Sequence, residues 1–268
     1  MPARPADAKT LHALHDELLI LPNAWDAASA RVIQDAGAKA IATSSAAVAW
    51  AHGFADGHHF PIEKLTTALD DIVRVVSVPV TCDAEGGYAD DAAGAAKNVT
   101  ALIDVGAVGI NLEDGREPHE THLKKIEAIR NAAERVGVNL FINARTDVYL
   151  KQLVPAEQAI EETLRRARAI KEAGASGLFV PGVFTAADIE AIVRGQSLPL
   201  NVMARPGVPK KAELKSLGVK RISAATSIFN AALAGAREAA VDFLADADSD
   251  TLWQRRGSPP DYNKLFGG

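Results

Sequence analysis

From residue 18 to residue 223, short apolar runs alternate with longer stretches in which apolar residues recur every three or four positions. The short runs are residues 18–22 (LLILP), 40–44 (AIATS), 78–82 (VPVTC), 108–112 (VGINL), 140–144 (LFINA), 177–181 (GLFVP), 198–202 (LPLNV) and 219–223 (VKRIS). Most are continuously apolar rather than alternating, as expected of strands covered on both faces of a parallel sheet. The stretches between them carry helical spacing. One places Ile62, Leu65, Leu69, Ile72, Val73 and Val76 on a common face; others do so with Leu123, Ile126, Ile129, Ala133 and Val136, and with Ile160, Leu164, Ala167 and Ile170. Glycines close several helical runs just before the next strand, among them Gly37, Gly106, Gly137 and Gly174.

Eight strand-then-helix units in a chain of 268 residues predict the α/β class and a (β/α)8 (TIM) barrel. An open doubly wound sheet would place a glycine-rich phosphate turn after its first strand; here the first strand is followed by NAWDAA. No break in composition separates two units. The expected organisation is one domain over 1–268, with a barrel core over 18–245 and a tail over 246–268 that contains Pro259 and Pro260. That tail is expected to lie on a neighbouring subunit or to be loosely ordered.

Barrel active sites form at the C-terminal ends of the strands, so the residues following each run are the candidates. They include Trp25 and Asp26, Ser44 and Ser45, Asp83 and Glu85, Glu113 and Asp114, Asn143, Arg145 and Asp147, Asn201 and Arg205, and Ser223. Asp83 and Glu85 are two apart, and on a strand such residues point the same way. With Glu113 from the next strand, they would put three carboxylates at the mouth with few cations nearby. A divalent cation relieves that repulsion, and Mg²⁺ suits an oxygen-only donor set. Capping of helices or pairing with basic residues is the alternative. Arg145 can bind a substrate carboxylate through its planar fork or sit in a structural ion pair. Ser44 and Ser45 can present donors to a carboxylate or simply cap a helix. Asp26 reads as an N-cap, and Cys82 as a buried structural thiol.

Composition narrows the function classes. The hydrophobic content is 48%, enough for a substantial core. Lysine plus arginine total 29 against 34 acidic residues, a net charge of −5, so no basic footprint for nucleic acid is expected. A single cysteine excludes an intrachain disulfide. The first residues lack a signal-type apolar core, and no run approaches the roughly 18 apolar residues of a membrane span. The expectation is a cytoplasmic enzyme with no membrane or nucleic-acid partner.

The segment LPNAWDAASARVIQDAGAKAIATSS, followed by CDAEGGY, NLEDG, NARTD, LFVPG, LNVM and GVKRISAATS, resembles the isocitrate lyase/phosphoenolpyruvate mutase superfamily. In that resemblance Ser44 holds the substrate carboxylate, with Ser45 in place of the usual glycine. Asp56, in FADG, matches the conserved loop aspartate. Asp83, Glu85 and Glu113 become the Mg²⁺ ligands, and Arg145 faces the substrate with Trp25 and Asn201 alongside. The Lys-x-Cys-Gly-His loop that supplies the acid/base cysteine in the lyases is missing: LEDG runs into REPHETHLKKIEAI. Among the residues in its place, His119 can move protons near neutral pH. A Schiff-base alternative would need a lysine in the barrel, for which Lys220 is the candidate. The resemblance implies a Mg²⁺-dependent lyase acting on a small 2-oxo acid through a pyruvate-like enolate. It leaves phosphonopyruvate-type P–C chemistry and a non-catalytic 2-oxo acid binder as alternatives. It also implies a homo-oligomer, dimer or tetramer, that exchanges a C-terminal helix.

Overall fold

The computed structural model describes residues 2–267. All strands are parallel: β1 Leu19–Leu21, β2 Asn23–Ala24, β3 Ile41–Thr43, β4 Val80–Asp83, β5 Gly109–Glu113, β6 Phe141–Arg145, β7 Gly177–Phe179, β8 Leu200–Met203 and β9 Arg221–Ser223. Their order, β1-β9-β8-β7-β6-β5-β4-β3-β2, closes the expected barrel. The expected first strand is two pieces because Pro22, which has no N–H to give a ladder, interrupts it. Leu19 to Leu21 pair with the last strand, and Asn23 and Ala24 with β3. The pattern placed β4, β5 and β6 one or two residues early. Asp83, Glu113 and Arg145 are the final residues of their strands rather than the first of the loops, so the sheet fixes their direction.

The helices are α1 Pro5–Ala13, α2 Ala27–Asp35, α3 Ser45–Ala51, α4 Ile62–Val75, α5 Ala92–Asp104, α6 His119–Arg135, α7 Ala159–Glu172, α8 Ala186–Gly195, α9 Lys211–Ser216, α10 Ser227–Asp246, α11 Ser249–Arg255 and α12 Tyr262–Phe266. The apolar stripe of α4 faces inward and buries Leu65, Leu69 and Ile72, as its spacing predicts. Asp26 caps α2 in a reciprocal capping box with Ser29. None of these helices is long and apolar enough to cross a membrane.

The barrel interior departs from the continuously apolar reading. Asn111, Asn143, Asn201 and Arg221 occupy facing positions on β5, β6, β8 and β9, all of them buried. Asn143 Nδ2 donates to Asn111 Oδ1 at 2.9 Å, and Arg221 Nη2 reaches the same oxygen across the barrel at 3.2 Å. A polar layer therefore replaces the branched aliphatic filling usual in this fold. Gly177 is required beside it, because a Cβ there would lie 2.9 Å from Asn143 Oδ1.

Below this layer α1 closes the N-terminal end, with Leu11 buried and His15 stacked on Phe141 at 3.9 Å. Burial, reinforced by the Arg221 charge, pushes the His15 pKa down to about 3 from 6.5. The unfolded chain therefore binds a proton that the folded chain refuses. The stability this contributes is present above pH 6.5 and is lost as pH falls from there towards 3. His15→Phe keeps the ring stack, and thermal melts should show a smaller fall in Tm between pH 7 and pH 4 than in the wild type. Parallel profiles would contradict this assignment.

Beyond β9, α10 leaves the barrel with Phe229 as its buried residue, while Leu233, Val241, Phe243 and Leu244 remain exposed. The segment expected as a tail holds α11 and α12; Arg255 of α11 pairs with Asp242 of α10.

Candidate active site

At the C-terminal end of the barrel, Asp83, Glu85 and Glu113 stand close enough to perturb one another's ionisation. Burial pushes the Asp83 carboxyl above its usual range, Arg145 opposes that rise, and the Glu85 charge adds to it. Burial likewise raises Glu85 and Glu113. Asp83 Oδ2 accepts from the Ser45 hydroxyl at 3.2 Å and its N–H at 3.4 Å. Ser44 caps α3, accepting from the Ala47 N–H. Both serines are thus engaged within the protein, Ser45 on the carboxylate beside it.

Two details differ from the sequence reading. Glu85 does not share a strand face with Asp83, because β4 ends at Asp83 and Glu85 adopts a left-handed conformation with φ 45°. There the His58 N–H, from the loop after α3, donates to Oε2 at 2.5 Å, and the Tyr88 hydroxyl, from Glu85's own loop, to Oε1 at 2.8 Å. The second concerns cations, which are not scarce at the mouth. Arg145 Nη1 lies 2.7 Å from Glu113 Oε2, and Lys151 Nζ lies 3.6 Å from Oε1.

Arg145 is the centre of this network. Its Nε and Nη2 donate to the two oxygens of buried Asp147 at 2.7 and 3.1 Å, in the bidentate geometry that favours arginine. Burial works against its charge, but Glu113, Asp147 and Asp83 outweigh it and drive its pKa up. Lys151 also pairs with Asp147, at 2.8 Å. In this state the guanidinium is held by protein carboxylates.

The remaining candidates divide. Asn201 is buried in the polar layer, with Nδ2 lacking a partner among the described residues. Trp25 packs edge-on against Phe229 of α10 at 5.2 Å. Asp56 is exposed on the rim loop, where its charge reaches Glu85. His119 does not line the cavity at the mouth. It is the first residue of α6, and burial with the charges of Arg166, His122 and Arg165 lowers its pKa to about 4. Cys82 is buried, with its thiol pushed up to about 12, as a structural thiol should be. Lys220 points away from the barrel and donates to the Asp16 carbonyl at 2.6 Å, while its neighbour Arg221 points in. That removes the Schiff-base candidate.

Among the described residues, Asp114, His119 and His122 also bring possible metal-ligating atoms within 4.8 Å of one another. Both Asp114 oxygens are already occupied, by Thr146 Oγ1 at 2.7 Å, the Asp147 N–H at 2.9 Å and Arg166 Nη1 at 2.6 Å. Asp114 Oδ2 is thus paired with a guanidinium and a hydroxyl, and Oδ1 with one backbone N–H.

A cavity of about 270 Å³ opens at the mouth, lined by His58, Glu85, Glu113, Glu117 and Lys151 among others. A larger cleft of about 540 Å³ lies between α7 and α8 and is lined by Arg168, Lys171, Glu172 and Arg194. No strand-end residue lines it, whereas Glu113 and Glu85 line the smaller cavity; Asp83 and Arg145 line neither. His58, Tyr88, Lys151 and Lys125 were missed from sequence, and Glu117 was noted beside His119 without a role. Only Tyr88 carried a signal, as the last residue of CDAEGGY.

The sequence model of the phosphoenolpyruvate phosphomutase family matches residues 9–244. The chain belongs to this family. An uncharacterized protein of Mycobacterium tuberculosis strain H37Rv is 32% identical over 243 residues, spanning 86% of this chain and 87% of that protein. An oxaloacetate decarboxylase of Ectopseudomonas mendocina is 29% identical over 195 residues, 70% of this chain and 62% of that enzyme. A crystal structure of a phosphonomutase candidate from Burkholderia cenocepacia J2315 superposes with a TM-score of 0.83 at 42% identity, covering 87% of this chain and 98% of that one. Structures from the PEP mutase/isocitrate lyase superfamily share the barrel. The family resemblance in the motifs is thus established over most of the chain, and the named relatives are lyases and mutases.

Proposed function

We propose that the chain is a Mg²⁺-dependent lyase that breaks a bond to the β-carbon of a small 2-oxo acid and leaves a pyruvate-like enolate. The observation that carries this reading is the convergence of Asp83, Glu85 and Glu113 at the barrel mouth, with Arg145 beside them. The donor set is all oxygen, and every member is pushed towards protonation by burial, a burden that a hard cation relieves. Asp83 and Glu85 would hold the ion, with Glu113 completing the set directly or through water. When bound, such an ion withdraws electron density from the carboxylate and keto oxygens of a 2-oxo acid.

The protein's own groups do the rest. Arg145 offers its guanidinium to the negative charge that develops on the substrate oxygen, exchanging one of its carboxylate partners for substrate. Ser44, Ser45, Trp25 and Asn201 would bound the substrate, and Asp56 would close over it from the rim loop. Chelation of the metal with EDTA should abolish turnover and added Mg²⁺ should restore it; full activity in EDTA contradicts the proposal.

The 42% identity with the phosphonomutase candidate favours a second reading, P–C chemistry on phosphonopyruvate in the same cavity. Release of phosphate from phosphonopyruvate separates it from C–C cleavage, and Mg²⁺-dependent binding of 2-oxo acids without turnover would indicate a binder. We also propose a cytoplasmic homo-oligomer, dimer or tetramer, formed by exchange of α10. Its exposed Leu233, Val241, Phe243 and Leu244 support this; a monomer by light scattering contradicts it.

A further inference from the structure

The loop after β5 lacks the acid/base cysteine of the lyases, yet it delivers a carboxylate to the same cavity. Glu117 lines the cavity with Glu85, Glu113 and Lys151. Its Oε2 is held at 2.7 Å by Lys125 Nζ, while its Oε1 is shielded from solvent and has no partner among the described residues. A buried acceptor left without a partner is costly, which marks it as a place where a proton or ligand is expected.

Lys125 is the second observation. It projects from α6, is 1% exposed, and also donates to the Gly86 carbonyl at 2.9 Å. A single buried ammonium thus ties Glu117 to the loop that carries Glu85. The other charged or titratable groups around Glu117 are Arg116 and Asp114 on its own loop and His122 on α6. The rival proton carriers are less well placed: Cys82 is buried in β4, His119 does not line the cavity, and His58 Nε2 accepts from the Gly86 N–H at 3.0 Å.

We propose that Glu117, positioned by Lys125, is the catalytic acid/base that exchanges a proton with the β-carbon of the substrate enolate. The proposal rests on the 2-oxo acid reading of the cavity. In the protonation direction, the enolate π pair forms the new C–H bond with the Glu117 proton. The O–H pair stays on the carboxylate, which is reprotonated by water. Run backwards on pyruvate, the carboxylate takes a methyl proton and the C–H pair becomes the enolate π bond.

The test is exchange of pyruvate methyl protons in D₂O with Mg²⁺, followed by proton NMR. Mn²⁺ binding by electron paramagnetic resonance and oxalate binding by calorimetry serve as controls. Wild-type protein should exchange the methyl protons. Glu117→Gln should exchange them roughly 10²–10⁴-fold more slowly with Mn²⁺ and oxalate affinities unchanged. If Glu117→Gln fails to fold, Glu117→Asp keeps the charge facing Lys125 and should be slowed at unchanged Mn²⁺ affinity. Exchange at the wild-type rate in either folded variant overturns the proposal. Wild-type protein that binds Mn²⁺ and oxalate but exchanges nothing overturns the Glu117 assignment alone. Wild-type protein that binds neither overturns the reading on which it rests.

Discussion

Replacing Asp83 with asparagine is expected to abolish turnover while the barrel stays folded. The side chain is the last of β4, so the sheet holds its direction whichever group it carries. Asparagine keeps the shape and an oxygen for the Ser45 hydroxyl and N–H. What it removes is the charge that a divalent ion would meet. Metal chemistry at such a site supplies several kcal/mol of charge stabilisation in the transition state, which corresponds to a rate loss of roughly a thousandfold or more. Calorimetric titration with Mg²⁺ should show binding lost, and circular dichroism should show helix content retained. Burial raises the Asp83 pKa in the metal-free protein, so removing the charge should not lower the apo Tm by more than a few degrees. Wild-type turnover in Asp83→Asn would remove Asp83 from the site.

Arg145→Met is expected to fail differently, losing stability as well as activity. Asp147 is fully buried and receives two hydrogen bonds from this guanidinium, and Glu113 receives its third contact. Without Arg145, Lys151 is the remaining cation recorded on both carboxylates. Removing one partner of a buried ion pair costs about 3–5 kcal/mol, on the order of 10 °C in Tm for a chain of this size. Arg145→Lys keeps the charge but not the fork, so it should recover much of the Tm and little of the turnover. A wild-type Tm in Arg145→Met would show that the network does not hold the mouth together. Equal turnover in Arg145→Lys would show that a point charge suffices.

The barrel was legible because its strands are buried on both faces, which leaves runs too apolar to mistake. The same property hid the polar layer. Asn111, Asn143 and Asn201 are single interruptions in apolar runs, and sequence alone does not show that Arg221 of β9 meets Asn111 of the non-adjacent β5 across the barrel. Asp83, Glu113 and Arg145 were legible as strand-end polar residues. Glu85 was found for a partly wrong reason, since a left-handed turn rather than strand pleat directs it.

An ion pair of Arg145 with the carboxylates was one of two readings the sequence left open, and Arg145 does pair with Glu113; the lysine pairs were not legible. Lys151 lies one helical turn past Asp147 in a segment with no motif. Lys124 and Lys125 are neighbours of identical type, yet Lys124 is exposed and pairs with Glu120, while Lys125 is buried under the site. The helical repeat groups Lys125 with His122 and Ile129 on the inner face of α6. Only the position of the neighbouring loops turns that placement into a clamp. His119 was singled out because it stands where the missing loop motif would be, but it does not line the cavity at the mouth.

The most direct test of the central claim is proton NMR of the purified protein with oxaloacetate, 4-hydroxy-2-oxo acids, methylisocitrate and phosphonopyruvate, each in Mg²⁺ and in EDTA. The account predicts that pyruvate, or the matching cleavage product, accumulates from at least one of them in Mg²⁺ and from none in EDTA. Product formation that is equal in EDTA, or no turnover of any of them in Mg²⁺, would contradict it.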